Sequence, residues 1–426
     1  MALGGGTFTS QNKVLPGSYI NFVSAARAGA TLSERGTVTM GLELDWGPEG
    51  VFEVTSEDLI KNTKKIFGYA YGADELTAIR DIFCHATRLY AYRLNGGGEK
   101  ASNTYATARY SGIRGNDIKI VIRANVDDPQ KYDVKTYLDT VLVDTQTVLT
   151  AEELQDNDYV AFKPEAELDQ VAGAALTGGT NKPVTGEEHE AYLTAIESYS
   201  FQAMAAMTED AVTNKLYIAF TKRMRDEVGA KFQCIVYNTA ADHEGIINVK
   251  NGKEIIPWVL GAEGGCAVNQ SCTNMKYDGE TEVSAAYTQS QLEAAILAGE
   301  FVLHKVGDEI HVLSDLNSLT TLTSDKGEIF QSNQSIRVMD QIANDIAVLF
   351  KTKYLGSIAN DQAGRNSLWL DIVMYHQKLQ TEGAIESFSD KDVTVEAGEK
   401  KHAVVVTDIV TIVNAMEKLY MTVTVE

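Results

Sequence analysis

The chain closes with the stretch Tyr420-Met421-Thr422-Val423-Thr424-Val425-Glu426, in which polar and apolar side chains alternate as they do in a half-buried β-strand. With Leu419, the apolar positions form one face of that strand. No partner strand stands beside it in sequence, and a lone strand leaves a row of N–H and C=O groups unpaired. We therefore expect an edge of its own domain or another molecule to cover it.

The start of the chain has the same character. After a glycine-rich leader comes a strand-prone stretch, Val14-Leu15-Pro16-Gly17-Ser18-Tyr19-Ile20-Asn21-Phe22-Val23. Pro16 fits an edge or entry position, because proline cannot donate to a β-ladder. Two extended, apolar termini on a large chain predict strand exchange between subunits.

Composition indicates a large folded protein. The chain has 426 residues, of which 44% are hydrophobic, so it should divide into two to four units, since single cores stop growing near ~250–300 residues. No apolar run approaches the ~18 residues that cross a bilayer, and the start lacks the pattern of a signal peptide. We expect synthesis and retention in a cytosol, without membrane insertion.

The charge argues against a nucleic-acid partner. The net charge is −22, with 59 acids against 37 bases, and no basic stripe is segregated from the acids. Lys61, Lys64 and Lys65 cluster at helical spacing, where a solvated helix face is a better interpretation than a docking site. The four cysteines form no C-x-x-C pair, so reduced and mostly buried thiols are expected.

The order of elements predicts an α/β body with an inserted β-rich domain. Thr37 to Leu42 and Leu89 to Leu94 are predicted strands, and helices begin near Thr55 and Glu75. Gly-rich breaks then bound a stretch of short β segments. The predicted divisions are an N-terminal extended arm (1–24), an N-terminal α/β segment (25–95), an inserted β-rich domain (96–180), a central α/β domain (181–335) and a C-terminal domain (336–426).

In the later part of the chain, Leu216 to Phe220 and Phe232 to Tyr237 are predicted as buried strands. Long helices are predicted over Ile336 to Tyr354 and Ser367 to Leu379, from apolar residues at helical spacing. The end is predicted as a β-α-β unit: a strand at Ala403 to Val406, a helix at Thr407 to Lys418 and the terminal strand. The fold class is thus α+β or α/β multidomain, with this unit completed by exchanged terminal strands.

Few residues indicate chemistry. His304 and His311 stand near two acids, but Gly307-Asp308 predicts a hairpin with the histidines on its arms, which we favour over a metal site. His189 is expected on an exposed helix face. Asp242-His243-Glu244 contains acid/base residue types, yet neighbours on an extended segment point to opposite faces. No phosphate-binding loop, dinucleotide fingerprint or nucleophile elbow occurs, so no catalytic, cofactor-binding or metal residue is predicted.

Four stretches carry a resemblance to a known family. They are Leu15-Pro16-Gly17-Ser18-Tyr19, Asp45-Trp46-Gly47-Pro48 with Phe67-Gly68, Tyr110-Ser111-Gly112-Ile113-Arg114-Gly115-Asn116-Asp117, and Asp242-His243-Glu244-Gly245-Ile246-Ile247-Asn248-Val249. In their order, and with the region from Ile336 onward, the chain resembles the contractile tail sheath proteins of myophages and phage-tail-like bacteriocins. Ser111 departs from the family pattern, which often has proline there.

The resemblance implies a structural subunit and not an enzyme. Sheath subunits stack as hexameric rings around a tail tube, and arms from neighbours complete the sheet of a C-terminal-region domain. Here the implied arm residues are Val14, Leu15, Pro16, Gly17, Tyr19, Ile20 and Phe22, and Leu419, Tyr420, Met421, Thr422, Val423, Thr424 and Val425. The implied partners are further copies of the chain, a tail tube protein, and baseplate and tail terminator proteins.

The resemblance also implies a virion tail or tail-like particle, assembled in a bacterial cytoplasm, that contracts to drive the tube through a target envelope. Two alternatives stay open at this point. One is an enzyme with an α/β body and a β-rich insert, such as a hydrolase whose best site would be Asp242-His243-Glu244 with His304 or His311. The other is a different virion or baseplate component, although tube proteins are usually shorter and mainly β.

Overall fold

The computed structural model describes residues 32–425. The described residues form these strands: β1 Thr37–Leu42, β2 Val51–Thr55, β3 Arg88–Arg93, β4 Ala106–Ala108, β5 Ile118–Ala124, β6 Tyr132–Leu138, β7 Val141–Val148, β8 Val160–Phe162, β9 Val171–Ala175, β10 Ala203–Ala205, β11 Gln233–Tyr237, β12 Ile246–Val249, β13 Glu300–Phe301, β14 Leu303–Val306, β15 Glu309–Val312, β16 Ile385–Glu386, β17 Val393–Ala397, β18 Val404–Asp408 and β19 Thr411–Ile412. The α-helices are α1 Ser56–Lys61, α2 Thr63–Phe67, α3 Thr77–Phe83, α4 Gly186–Ile196, α5 Ala211–Arg223, α6 Ile256–Gly265, α7 Gln289–Leu297, α8 Asn333–Leu349 and α9 Gln362–Thr381.

The described residues belong to two compact units. The smaller contains Leu32, Asp345–Lys378 and Ser389–Ile409, and the larger contains Ser33–Asn344, Leu379–Phe388 and residues 410–425. None of the helices in the described part of the chain is long and apolar enough to cross a membrane. The fold is a mixed α/β multidomain architecture, as the sequence predicted.

The larger unit is built on a seven-stranded sheet in the order β13-β12-β11-β10-β1-β3-β2. All neighbours in it are parallel except β2 and β3. Its strands are buried on both faces: in β11, Ile235 joins one core, while Cys234 and Val236 join the other. A parallel sheet covered on both sides by helices is the usual arrangement of α/β proteins.

Local sequence accounts for the helix starts. The Thr55 side chain accepts from the Asp58 N–H, and the Asp58 carboxylate accepts from the Thr55 N–H. These two hydrogen bonds make a capping box at α1. Thr185 and Glu188 make the same reciprocal bonds at α4, as their spacing predicted. Such caps satisfy N–H groups that have no partner within the helix.

The β-rich insert lies in sequence between β3 and α4. Its four-stranded sheet has the order β7-β6-β5-β9, and β4 pairs with β8. A separate apolar core fills it, to which Trp46 of the body contributes a side chain only 1% exposed. The motif around Gly112 fixes the junction: its φ is 126°, and a Cβ there would lie 2.1 Å from the Asp45 carbonyl oxygen.

The smaller unit contains the end of α8, most of α9 and the antiparallel pair β17 and β18. On α9, which the sequence predicted as a helix, the apolar residues Leu368, Ile372 and Tyr375 are buried. In the larger unit, Gly383 follows the helix with φ 78°, a backbone conformation that glycine favours at a helix end.

Two sequence predictions are wrong. Leu216 to Phe220 is not a strand but part of α5, which Asp210 caps by accepting from the Val212 and Thr213 N–H groups. Its buried residues recur at helical spacing, so a run of apolar residues was mistaken for a strand.

The second error concerns the chain end. No helix forms over residues 407–418, so the predicted β-α-β unit is absent from the described residues. Instead β18 extends to Asp408, β19 follows, and residues 413–425 have neither helix nor strand. The stretch Ile409-Val410-Thr411-Ile412-Val413 is β-branched throughout, and such residues favour extended backbone over helix.

Candidate functional site

The C-terminal end of the chain is fixed to the larger unit by a short stretch that we call the C-terminal root, residues 411–417. It begins with β19, in which Ile412 lies opposite Ile385 of β16. The Val413 N–H then donates to the Ala384 carbonyl at 3.0 Å. These backbone bonds set the path of the chain.

Side chains at the start of α8 hold the next residues of the root. The buried Gln334 accepts from the Ala415 N–H at 2.9 Å and donates through Nε2 to the Val413 carbonyl at 3.2 Å. Ser335 Oγ donates to Asn414 Oδ1 at 2.9 Å. The Gln334 carboxamide therefore binds the backbone on both sides of Asn414.

Beyond the root lies the C-terminal arm, residues 419–425. The last side-chain contact before it joins Thr273 Oγ1 to Glu417 Oε1 at 2.6 Å. The arm residues Leu419, Tyr420, Met421, Val423 and Val425 are then 68–90% exposed. The arm therefore presents its predicted apolar face without cover from the described residues, and it is not a strand in the isolated chain.

The N-terminal arm predicted over residues 14–23 lies outside the described residues. We call residues 33–36, where the larger unit begins, the N-terminal root. Arg35 Nε donates to the Cys266 carbonyl at 2.6 Å, and its Nη2 donates to the Glu263 carbonyl at 3.0 Å. The Gly36 N–H donates to the Gly264 carbonyl at 3.0 Å. This root is thereby tied to the end of α6.

A possible acceptor for an added strand lies in the smaller unit. Among the described residues, β17 and β18 pair only with each other, from Val393 opposite Asp408 to Ala397 opposite Val404. Val405 and Val406 of β18 are exposed. A two-stranded sheet is marginal in water, and further strands stabilise it.

A buried charged cluster lies in the larger unit and includes Arg337 of α8. Arg337 donates to Glu263 Oε2 and to Asp315 Oδ2, and all three side chains are at most 1% exposed. Burial raises the pKa of Glu263 well above its usual range, and the nearby Asp315 adds to the effect. For Asp315, burial acts in the same direction, but the Arg337 charge and hydrogen bonds outweigh it and lower its pKa.

Burial and the neighbouring Asp315 carboxyl thus raise the pKa of Glu263, while Arg337 holds the pKa of Asp315 low. Glu263 Oε1 and Asp315 Oδ1 are buried and have no hydrogen-bond partner among the described residues. Glu263, Cys272 and Asp315 also converge as metal ligands do. However, the Arg337 guanidinium already lies against both carboxyl groups as their counter-cation, so the cluster has the character of a structural ion pair.

The candidate acid/base residues have structural roles. Asp242 Oδ1 accepts from the Thr320 and Thr321 N–H groups at 2.7 and 2.8 Å. His243 and Glu244 do lie together, contrary to the expectation from an extended segment: Nε2 and Oε2 are 3.8 Å apart. The backbone is not extended there, since Asp242 has φ 45°.

The partners of these side chains are internal. His243 Nδ1 accepts from the Gly245 N–H at 3.0 Å, and Lys326 Nζ donates to both Glu244 oxygens at 2.8 and 2.9 Å. The predicted hairpin is also confirmed, because His304 lies directly opposite His311 across β14 and β15. His189 lies on α4 and is half-buried, with Nδ1 2.8 Å from Tyr217 Oη.

We expect the double substitution His243→Ala and Glu244→Ala to affect stability alone. It removes a partly buried salt bridge and a hydrogen bond to the backbone, so the free energy of unfolding should fall by about 1–3 kcal/mol. Urea unfolding measures this loss, and sedimentation should show unchanged assembly. A folded double variant that had lost a hydrolytic turnover present in the wild type would contradict a purely structural role.

Comparison with known proteins places these features in a family. Residues 35–94 match the tail sheath protein Gp18 domain III N-terminal region, and residues 96–181 match the phage tail sheath protein beta-sandwich domain. Residues 182–318 match the phage tail sheath protein central domain, and residues 325–426 match the phage tail sheath C-terminal domain. The four matches follow one another along the chain.

Proteins that are similar along nearly their whole length support the same family. Phage-like element PBSX protein XkdK of Bacillus subtilis is 33% identical over 465 residues, covering 99% of each chain. The crystal structure of the sheath tail protein from Desulfitobacterium hafniense is 36% identical, with a TM-score of 0.84 over 95% of this chain and 99% of that one. The contracted helical sheath of the anti-feeding prophage shares the fold at 12% identity, with a TM-score of 0.56 over 97% of this chain and 99% of that one.

The fold and the consecutive domain matches define a structural, non-enzymatic tail protein. The chain belongs to the phage tail sheath protein family. As a sheath protein it is a component of a phage-type tail.

Proposed function

We propose that this subunit polymerises as stacked hexameric rings around a tail tube and contracts to drive the tube through a target cell envelope. The observation that carries the proposal is the C-terminal arm, an exposed alternating segment whose root is firmly bound. Exposed apolar residues at such density mark an interaction site. The receiving surface is the sheet of β17 and β18 in a neighbouring copy, where main-chain pairing supplies affinity.

The arm offers enough apolar surface to hold subunits together. Four side chains, Leu419, Met421, Val423 and Val425, alternate along it. Burying each contributes roughly 2 kcal/mol, and main-chain hydrogen bonds add to this. The sum offsets the cost of immobilising the arm and the subunit. Since the arm and its acceptor are different surfaces, the contact is heterologous and propagates into a helix.

In this proposal the N-terminal arm, residues 14–23, completes the same kind of sheet in another copy. Contraction is then a rigid-body movement of subunits that stay linked through their arms. The β-rich insert faces outward, and the C-terminal helices face the tube, where charge complementarity supports release. Baseplate and tail terminator proteins limit the polymer at its ends. The polymer assembles in the host cytoplasm without nucleic acid.

Electron microscopy of the negatively stained, purified chain at several concentrations tests this proposal. We expect hollow striated tubes or six-fold rings, with longer tubes as the concentration rises, because a heterologous contact either closes into a ring or propagates into a filament. Uniform small particles at every concentration would contradict self-assembly through the arms.

A further inference from the structure

We infer that the first three turns of α8, residues 333–344, are a common mount for both arms, which fixes the position of one arm relative to the other. The inference rests on the proposed function, since it concerns how two arms that join different neighbours are connected within one subunit. It arises because both roots contact the same helix, although they stand at opposite ends of the sequence.

The C-terminal root is held by the first turn of α8. Gln334 binds the backbone of Val413 and Ala415, as described above, and Ser335 binds Asn414. Gln334 is 3% exposed and Ser335 is fully buried, so water competes little for these bonds.

The N-terminal root is held two turns further along. Gln341 Nε2 lies 2.9 Å from the Ser33 carbonyl and 2.7 Å from Ser33 Oγ, and Gln341 is 4% exposed. Gln341 stands seven positions after Gln334, which places them on the same face of the helix about 10 Å apart. Two glutamine side chains on one face therefore each hold one root.

The mount itself is rigid. Between the two glutamines, Arg337 is fixed by Glu263 and Asp315 in the buried cluster. Asp340 accepts from both terminal nitrogens of Arg225 at 2.6 and 2.8 Å. Bidentate contacts of this kind fix orientation as well as position.

A second tie connects the N-terminal root to the same helix. Arg35 donates to the Glu263 carbonyl, and the Glu263 carboxyl accepts a hydrogen bond from Arg337. A displacement of either root is thus opposed by α8 and the residues that hold it. In a polymer, the path from one neighbour to the next runs from arm to root, through α8, to the other root and the other arm.

A path in series predicts a particular form of non-additivity. Loosening either root already releases one arm from its fixed position relative to the other, so loosening the second root releases nothing further. Independent anchors would instead give effects that add. The double variant separates these two cases.

The experiment compares Gln334→Leu, Gln341→Leu and the double variant, with the critical concentration for tube formation measured by sedimentation. We expect each single variant to raise it about tenfold, and the double variant also about tenfold instead of about a hundredfold. The melting temperature of each unassembled subunit should change by only a few degrees.

Asn116→Leu is the matched control. Its side-chain amide also makes two hydrogen bonds to the backbone, with Nδ2 2.9 Å from the Gly179 carbonyl and Oδ1 2.8 Å from the Gly179 N–H. Unlike the two glutamines, however, it lies in the β-rich insert. We expect it to leave the critical concentration unchanged. A hundredfold effect in the double variant, or no effect in either single variant, would overturn the common mount. If loss of the C-terminal arm itself left tubes intact, the proposed function would fall as well, so the two failures are distinguishable.

Discussion

A subunit that lacks residues 419–426 should remain folded and monomeric, and it should form no tubes. The arm contributes no hydrogen bond or buried apolar surface to the described part of its own chain, and the root that precedes it keeps its contacts to Ala384, Gln334 and Thr273. Deletion therefore removes the contact to a neighbouring copy that we propose, and it removes no hydrogen bond within the described part of the chain. Circular dichroism tests whether the truncated subunit is folded, and sedimentation tests whether it stays monomeric and forms no tubes.

Point substitutions refine this prediction. If the arm pairs as a strand, side chains alternate between a buried and an exposed face. Met421→Asp places a charge on the apolar face and should raise the critical concentration more than a hundredfold, since burying an unpaired charge costs several kcal/mol. Thr422→Asp, one residue along, lies on the other face and should change it by less than tenfold.

Two results would contradict strand exchange by the C-terminal arm. One is normal tube formation by the truncated subunit. The other is an equal effect of Met421→Asp and Thr422→Asp, which would indicate an arm that binds without a strand register. A truncated subunit that failed to fold would show that the arm stabilises its own chain.

The substitution Arg337→Met should destabilise the subunit by about 3–5 kcal/mol. It removes the cation that Asp315 and Glu263 share, and leaves Asp315 as a buried carboxylate without a counter-charge. Methionine fills much of the volume of the arginine stem, so the loss reports mainly on the charge. Urea unfolding at neutral pH measures it.

The pH dependence of Arg337→Met has a definite sign. Without Arg337, burial is the dominant influence on Asp315, and the pKa of its carboxyl in the folded state rises above the unfolded value of about 3.9. A raised folded-state pKa gives stability at low pH that is lost as the pH rises. The deficit of the variant relative to the wild type should therefore shrink towards acid pH.

Arg223→Met is the control for a surface ion pair. Arg223 binds Glu197, and both side chains are 42% exposed. Its loss should change the free energy of unfolding very little, since exposed ion pairs contribute little to stability. A deficit of that same small size in Arg337→Met, independent of pH, would show that the buried cluster contributes little to stability.

Patterns confined to one segment were read correctly from the sequence. The helix start at Thr55 depends on residues three apart, and the hairpin of His304 and His311 depends on a two-residue turn. The arm was recognised by its alternation of apolar residues, and its exposure agrees with a segment that needs an external partner. Its role in assembly stays a prediction.

The residues that hold the roots could not have been found in this way. Gln334 and Gln341 are ordinary polar residues near the start of an amphipathic helix, where solvent exposure is the default. They become binding residues only because residues 413–415 and Ser33 return to that helix from far along the chain. The sequence offered no signal for either contact.

The amino-acid sequence by itself determined the α/β character, the β-rich insert, the capped helix starts and the apolar alternation of the arm, because each follows from spacing over a few residues. Only the tertiary structure decided that Glu263, Asp315 and Arg337 form one buried cluster and that Gln334 and Gln341 hold the two roots. These outcomes depend on which surfaces become buried against each other, since packing brings together side chains that are distant in sequence.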